Sequence, residues 1–228
     1  MTVAYDILAT GSNLRLKQDF LGISSIVLVH AGGAKMLFDT GGYIARYGLL
    51  DALKARGLAP GDIDVVFLSH LHFDHSQNID LFRGARVLVS REEWAYAEAP
   101  HADDLFMPWQ IHHELESHNL ELIEGEGEIA PGVGFFPAPG HTPGCYAVRL
   151  ETGEHGPVIL AGDAIKHAKE ALSERCDMAF DTIETGTASI RRILDEAERI
   201  VPGHFQELIR QGDRFVWEDA FELTLVVR

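Results

Sequence analysis

The stretch Ser69-His70-Leu71-His72-Phe73-Asp74-His75 places three histidines and one aspartate within six residues, directly after the apolar run Val65-Val66-Phe67-Leu68. An apolar run of this length predicts a buried strand, so the polar cluster lies on the loop that leaves a core strand. Loops at this position in α/β proteins commonly carry the chemistry. Burying four such side chains without a partner would be costly, and metal ions satisfy them together.

The spacing inside this cluster points to more than one metal ion. His70 and His72 are two residues apart, so both imidazoles leave an extended chain on the same side. Asp74 and His75 follow where the chain has to turn, and they approach from another direction. Two directions of approach from one short loop favour two metal ions over one.

Composition limits the class of protein. The 228 residues are 46% hydrophobic and 24% charged, which is ordinary for a soluble globular protein with a real core. No low-complexity linker or tandem repeat divides the chain, so we expect one domain over residues 1–228. No apolar run reaches 18 residues, and residues 1–6 lack a basic start, so we expect neither a membrane span nor a signal peptide.

Charge and cysteine content limit the partners and the compartment. Lys plus Arg number 19 against 35 Asp plus Glu, a formal net charge of −16, which disfavours binding to nucleic acid or to anionic membranes. The two cysteines, Cys145 and Cys176, form neither a CxxC pair nor a disulfide framework. We therefore expect a cytoplasmic protein that acts on a small molecule.

The rest of the chain divides into two β-rich halves. Strands are predicted at 3–9, 23–30, 35–38, 85–89, 120–123, 133–137, 146–150, 158–161 and 200–201, and in the tail at 221–227. Helices are predicted at 43–56, after the capping-box pattern of Ser90 and Glu93, and at 187–199. Strands followed by a helix in each half predict an α/β fold with two sheets packed face to face and helices outside.

Residues 99–119 are the least regular part of the chain. They contain two prolines and the apolar side chains Phe106, Met107 and Trp109. Their four histidines share no ligand spacing; these are His101, His112, His113 and His118. We interpret the histidines as a polar lid or a helix face rather than as ligands, and the apolar side chains as the mouth of a substrate site.

Three further candidate ligands follow strand-like runs in glycine-containing loops. His141 lies in the segment Pro-Gly-His-Thr-Pro-Gly, Asp163 follows Leu-Ala-Gly, and His204 follows Val-Pro-Gly. Glycine permits a close approach of the backbone and proline stiffens the loop, so each side chain is held before a metal arrives. Together with the upstream cluster these residues form a coherent set.

The sequence resembles the metallo-β-lactamase fold superfamily. The resemblance is carried by the HxHxDH signature of residues 70–75 and by the later GHTPG, GD and PGH elements. The resemblance covers nearly the whole chain, from Phe38-Asp39-Thr40-Gly41 to His204. It implies a four-layer αβ/βα sandwich, with two mixed β-sheets face to face, helices outside and two metal ions at one edge between the sheets.

The resemblance also implies a role for each candidate residue. One metal ion would bind His70, His72 and His141, and the second would bind Asp74, His75 and His204. Asp163 would bridge the two ions, and Asp39 would orient one of the ligands.

These implied ligands are imidazoles and carboxylates without thiolates, which suits zinc, with iron or manganese as alternatives. Two such ions about 3.5–4 Å apart share a hydroxide that can attack a carbonyl near neutral pH. Asp74 could also orient the hydroxide or pass a proton to the leaving group. The resemblance therefore implies a binuclear metal-dependent hydrolase.

Within the superfamily the chain resembles the N-acyl homoserine lactonase-like and glyoxalase II-like branch. Lactonases of this branch carry a tyrosine three residues after the bridging aspartate, where this chain has Lys166. Lys166 could bind a carbonyl or a leaving alkoxide, or be a surface charge. We expect hydrolysis of a carboxylic ester or lactone, with a glyoxalase II-type thioester hydrolase and an iron-dependent persulfide dioxygenase as alternatives. Superfamily members often pair, so a homodimer is a further expectation.

Overall fold

The computed structural model describes residues 3–218 and residue 224. The strands are β1 (Ala4–Ala9), β2 (Ile26–Ala31), β3 (Ala34–Phe38), β4 (Val65–Phe67), β5 (Arg86–Ser90), β6 (Asn119–Ile123), β7 (Gly127–Ala130), β8 (Val133–Pro137), β9 (Tyr146–Thr152), β10 (Gly156–Gly162), β11 (Arg199–Pro202), β12 (Leu208–Gln211) and β13 (Arg214–Val216). The helices are α1 (Arg46–Ala55), α2 (Phe73–Ser76), α3 (Arg91–Glu98), α4 (Ile111–Leu115), α5 (Ala168–Ser173) and α6 (Ile183–Glu196).

The strands form two mixed sheets, one from each half of the chain. The first has the order β1-β2-β3-β4-β5-β6, antiparallel from β1 to β3 and parallel from β3 to β6. The second has the order β13-β12-β11-β10-β9-β8-β7, with β10 and β11 parallel and the other pairs antiparallel. The predicted α/β class with two mixed sheets is confirmed.

Three buried clusters separate four layers. The cluster between the sheets joins Val27, Phe38 and Phe67 of the first sheet to Val148, Leu160 and Val201 of the second. A second cluster packs α1 and α4 on the outer face of the first sheet, and a third packs α5 and α6 on the outer face of the second. Strands buried on both faces explain the continuous apolar runs of β4 and β10. The predicted four-layer sandwich follows from this arrangement.

Strand direction brings the chemically important loops to one edge of each sheet. In the first sheet β3, β4 and β5 run parallel, so Asp39, the loop from Leu68 and the start of α3 all leave the same edge. In the second sheet β8, β10 and β11 share one direction, because β9 is antiparallel to both β8 and β10. The loops after these three strands therefore also meet at one edge.

Two predictions differ from the structure or lie outside it. The segment 43–56 begins as a 3₁₀ turn at Tyr43–Ala45 and continues as α1, but Tyr43 and Tyr47 are 58% and 83% exposed. Leu49 and Leu53, four residues apart on one face of α1, carry the buried face instead, and Tyr47 lies on the opposite face because it is two residues from Leu49. The strand predicted at 221–227 lies outside the described residues except for residue 224. No helix among the described residues has the length and apolarity needed to cross a membrane.

Candidate metal centre

The loop after β4 carries four buried polar side chains. His70, His72, Asp74 and His75 are each at most 6% exposed. The chain turns into α2 at Phe73, and the Ser76 hydroxyl, within α2, bonds the carbonyl oxygen of His72 at 3.0 Å. A short strand followed directly by a helical turn therefore aims all four side chains at the region between the sheets.

Hydrogen bonds orient the imidazoles of His70 and His75. Asp39 Oδ2 accepts from His75 Nδ1 at 2.7 Å and from the Ser69 hydroxyl at 2.8 Å. Because the single Ser69 hydroxyl proton goes to Asp39, Ser69 Oγ accepts from His70 Nδ1 at 3.0 Å. The Nε2 atoms of His70 and His75 are left facing the centre. The structure thus places Asp39 where it orients a candidate ligand, as predicted.

His72 has the opposite orientation. Its Nε2 donates to Asp104 Oδ2 at 3.0 Å, and its Nδ1 lies 3.0 Å from His141 Nε2. His204 donates from Nδ1 to the carbonyl oxygen of Ile23 at 3.1 Å. Four of the five candidate histidines therefore use one ring nitrogen for an outward hydrogen bond and present the other inward, which is the arrangement of histidines that bind metal.

The second sheet supplies its three residues from three separate loops. His141 follows β8, Asp163 follows β10 and His204 follows β11. Gly203 lies against Asp163, so that a Cβ atom there would stand 1.9 Å from Asp163 Oδ1, and no larger residue fits without displacing the carboxylate. Gly162 has a φ of +50°, which starts the turn that brings Asp163 to the sheet edge.

All seven predicted ligands converge on one point. Three groups have ligand atoms within 4.8 Å of one another: His70, His72 and His141; His70, His75 and Asp163; Asp74, His75 and His204. Asp163 lies between them, with Oδ1 3.2 Å from His75 Nε2 and 3.4 Å from His204 Nε2, and Oδ2 3.3 Å from His141 Nε2. The two carboxylate oxygens thus face different histidines.

The inward atoms fit a cation. The buried atoms His70 Nε2, His75 Nε2 and Asp163 Oδ1 have no hydrogen-bond partner among the described residues. Unpartnered buried polar atoms are rare in folded proteins and cost free energy. Nitrogen and oxygen lone pairs that point at a common centre are the donor set that divalent metal ions bind, so these residues could hold one or more ions.

The electrostatics of the centre differ from one side to the other. Burial, together with neighbouring imidazoles, holds the pKa of His70 well below its usual value. Burial also lowers the pKa of His75, but Asp163 and Asp39 outweigh it and raise that pKa well above the usual value. Burial raises the pKa of Asp163, whereas His204 and His75 outweigh it and hold that pKa well below the usual value. The carboxylates thus favour a positive charge beside them, which a metal ion supplies.

A cavity of about 310 Å³ opens onto this cluster. It is lined by Asn13, Arg15, Phe20, His72, Asp74, Phe106, His141, Asp163, Lys166, His167, Asp177, Met178 and His204. The candidate ligands form one wall, and Phe20, Phe106 and Met178 supply the apolar surface. The centre is therefore accessible to a small molecule.

Lys166 is buried beside the cavity and is not a surface charge. Its Nζ donates to Glu170 Oε1 at 2.7 Å, lies 3.2 Å from Asp177 Oδ1, and reaches the carbonyl oxygen of Met178 at 3.5 Å. Burial lowers the pKa of Lys166, but Glu170 and Asp163 outweigh it and raise that pKa above the usual value. The ammonium group therefore stays charged at the cavity wall.

The irregular segment 99–119 only partly forms a lid. Ile111 and Leu115 of α4 are buried in the core against the first sheet. Residues 99–110, here called the lid segment, precede α4 and have one side chain, Phe106, in the cavity lining. Of the apolar residues predicted at its mouth, Phe106 lines the cavity, whereas Met107 packs on the core and Trp109 is 94% exposed. An irregular segment has no periodicity from which the inward side chains could be identified.

None of the histidines of 99–119 belongs to the three ligand groups found among the described residues. His112 bonds the carbonyl oxygen of Trp94 at 2.9 Å, His118 bonds that of Ile79 at 3.1 Å, and His113 is exposed. The interpretation of these residues as non-ligands agrees with these contacts.

Sequence reasoning missed two carboxylates that support the centre. Asp104 accepts from His72, as described above. Glu93 was assigned to a capping box, and Ser90 Oγ does accept from its backbone N–H at 3.0 Å. The Glu93 carboxylate, however, is fully buried and accepts from Leu71 N at 3.0 Å and from the Thr142 hydroxyl at 2.6 Å. It therefore joins the two ligand loops, and only its unusual burial within α3 marks it.

Comparisons with known proteins give two relatives at moderate identity. An N-acyl homoserine lactonase of Bacillus sp is 34% identical over 145 residues, which cover 64% of this chain and 55% of the lactonase. The human metallo-beta-lactamase domain-containing protein 1 is 33% identical over 192 residues, which cover 80% of this chain and 62% of that protein. The chain thus spans less than two thirds of either relative.

A solved dizinc quorum-quenching lactonase, in complex with the product N-hexanoyl-L-homoserine, has a similar fold. The TM-score is 0.68 at 20% identity, and the match covers 90% of this chain and 82% of the lactonase. At this identity the match shows the fold alone. The family model of the metallo-beta-lactamase superfamily matches residues 19–204, which include all seven converging side chains. The chain belongs to the metallo-beta-lactamase superfamily.

Proposed function

We propose that this protein is a metal-dependent hydrolase that uses two divalent metal ions, zinc by preference, to cleave a carboxylic ester or lactone. The observation that carries the proposal is the convergence of seven buried ligand-type side chains. Three of their inward atoms, His70 Nε2, His75 Nε2 and Asp163 Oδ1, have no hydrogen-bond partner among the described residues. A structural zinc site is usually closed and rich in cysteine. This cluster contains no cysteine and opens into a cavity, as a catalytic site requires.

The proposed ligands divide into two sets. His70, His72 and His141 would hold one ion, and Asp74, His75 and His204 would hold the other. Asp163 would contribute to both sets, which is supported by its Oδ1 and Oδ2 atoms facing different histidines. When bound, the two ions supply Lewis acidity and lower the pKa of water at the site to about 7.

Asp74 has a second role in this proposal. Its carboxylate lines the cavity, and its Oδ2 lies 3.3 Å from His204 Nε2. A carboxylate in this position can orient the attacking water and carry a proton to the leaving group. Asp74 therefore acts both as a ligand and as a catalytic residue.

Lys166 is the second proposed catalytic residue. Its ammonium group has three donors, of which one makes only the 3.5 Å contact with the Met178 carbonyl oxygen. That donor can turn to the substrate carbonyl or to the leaving alkoxide without breaking the contacts with Glu170 and Asp177. Because its pKa is raised, Lys166 serves as a charged hydrogen-bond donor and not as a base.

The cavity and the relatives support the proposed substrate class. Several relatives are named N-acyl homoserine lactonases, and they motivate the ester or lactone assignment. The cavity of about 310 Å³ limits the reacting part of the substrate to a small molecule. Phe20, Phe106 and Met178 offer apolar surface for an acyl or alkyl group beside the polar centre.

The test is a substrate panel on protein of known metal content. Zinc-loaded wild type is expected to hydrolyse a lactone or ester, and His72→Ala is expected to lose metal and turnover. His113→Ala is the matched control, because this histidine is exposed and outside the ligand groups. Hydrolysis of thioesters alone would assign the glyoxalase II-type activity, and iron content with oxygen uptake on a persulfide would assign the dioxygenase. Full turnover by His72→Ala would contradict the metal mechanism.

A further inference from the structure

The lid segment contains one carboxylate whose burial contrasts with that of its neighbours. The Asp104 side chain is 0% exposed, whereas the Asp103 side chain is 90% exposed. Leu105, the next residue, is 86% exposed. Burying a carboxylate while leaving a leucine in solvent runs against the usual hydrophobic preference. Specific partners must therefore hold Asp104 in place.

The Asp104 carboxylate accepts three hydrogen bonds, and each of its oxygens has at least one partner. Oδ2 accepts from His72 Nε2 at 3.0 Å and from the Tyr96 hydroxyl at 2.7 Å, and Oδ1 accepts from Phe106 N at 2.9 Å. All three partners are N–H or O–H donors, so both oxygens of the Asp104 carboxylate act as acceptors.

The hydrogen bond to His72 selects which ring nitrogen faces inward. Because Asp104 takes the proton of Nε2, the Nδ1 lone pair is free, and Nδ1 is the atom 3.0 Å from His141 Nε2. The same carboxylate holds the backbone of Phe106, whose ring lies 5.6 Å from the His72 ring and lines the cavity. One side chain thus supports both a candidate ligand and an apolar wall of the cavity.

We propose that Asp104 is a positioning residue that joins the lid segment to the candidate metal centre. It holds His72 in the orientation that would bind an ion through Nδ1, and it holds Phe106 beside the His72 ring at the cavity wall. Metal affinity and the order of the lid segment therefore depend on one another. This inference rests on the proposed function in one respect, the ligation of a metal ion by His72.

The test compares metal affinity in Asp104→Asn and wild type by competition with a chelator. The asparagine amide has one acceptor oxygen and an NH2 group that only donates, so the variant loses either the bonds from His72 and Tyr96 or the bond from Phe106 N. Residues that hydrogen-bond a ligating histidine typically contribute about 10–100-fold to metal affinity, and we expect a loss of this size. Asp103→Asn, in the same segment but exposed, is expected to retain wild-type affinity.

Tyr96→Phe provides a milder variant with an intact carboxylate. It removes one of the two bonds to Asp104 Oδ2, so we expect a smaller loss of metal affinity in the same direction. Chymotrypsin, which cleaves at aromatic residues and leucine, is expected to cut the lid segment at Leu105 or Trp109 faster in Asp104→Asn. The affinity measurement separates positioning of His72 from simple packing of the lid, since packing alone would change only the cleavage rate.

Two results would overturn the inference. One is wild-type metal affinity in a folded Asp104→Asn protein. If that variant does not fold, wild-type affinity in Tyr96→Phe has the same consequence. A wild-type protein that binds no transition metal would contradict the proposed function itself, so the two failures are distinguishable.

Discussion

The two halves of the molecule supply their site residues in different ways. The first half places His70, His72, Asp74 and His75 on one loop of six residues after β4. The second half supplies one residue from each of three loops, and these meet only because β8, β10 and β11 share one direction. The first set is therefore organised locally, whereas the second depends on the complete second sheet.

The supporting interactions differ as well. Buried carboxylates from elsewhere in the first half hold the first loop: Asp39 bonds His75, Asp104 bonds His72, and Glu93 bonds Leu71 N. In the second half, close contacts made by glycines help to position the candidate ligands, as where Gly203 lies against Asp163. Buried carboxylates thus hold the first-half loop, whereas a close backbone contact positions Asp163 in the second half. Glu93 already joins the two ligand loops, and metal ions would join the two sets of ligands at the centre itself.

The largest expected effect on turnover comes from removing one candidate metal ligand from either half. His75→Ala and His204→Ala are both expected to lower turnover by more than about 100-fold, since residues that only support ligands already contribute 10–100-fold. Elemental analysis and steady-state kinetics check this result. If only the first-half variant lost activity, the second half would not belong to the metal centre.

Removal of the metal is expected to lower the stability of the whole fold. Five buried carboxylates surround the centre; these are Asp39, Asp74, Glu93, Asp104 and Asp163. An ion that binds only the folded state contributes about 4 kcal/mol to the free energy of unfolding when its free concentration is 1,000 times Kd. Urea unfolding with and without a chelator measures this contribution. Identical curves from verified metal-loaded and metal-free protein would show that the ions do not join the halves.

Asp39→Asn tests the support of the first-half loop by charge. Asp39 has a φ of +57°, a conformation that asparagine also tolerates, so the substitution changes the hydrogen bonds without adding backbone strain. We expect metal affinity to fall by about 10–100-fold. The control is Asp64→Asn, because Asp64 lies at the far end of β4, where it accepts from Lys35 N at 2.8 Å. Equal affinities in the two variants would contradict the role of Asp39.

Lys166→Met is expected to have the smallest effect among these variants. It should lower kcat and leave the metal content unchanged. A hydrogen bond to a charged group contributes about 1.5 kcal/mol, so kcat should fall by about 10-fold. Lys169→Met is the matched control, since that side chain is 75% exposed. The proposed role would fail if metal-loaded Lys166→Met kept the wild-type kcat.

The first-half loop could be predicted from the sequence because its pattern is local. An apolar strand followed by HxHxDH indicates both the position and the chemistry, and the structure brings these residues together as expected. The two-sheet architecture followed from strand-like runs in both halves. His141, Asp163 and His204 were recognisable only as a set, because each alone resembles an ordinary turn residue.

Asp104 and Glu93 could not be predicted for physical reasons. Asp104 is 32 residues from His72 in an irregular segment, so no spacing connects the two. Glu93 fits a helix start, and its role depends on Gly144, whose missing side chain lets the loop after β8 approach the Glu93 backbone. A Cβ on Gly144 would stand 2.0 Å from Glu93 N, a contact that only the folded chain creates. Residues that support a site across the fold leave little signal in a single sequence.

The most direct test of the two-metal centre is a crystal structure of zinc-loaded protein with anomalous data at the zinc edge. We expect two peaks, with Asp163 between them. One should lie among His70, His72 and His141, and the other among Asp74, His75 and His204. A single peak, or peaks away from these seven side chains, would contradict the two-metal centre.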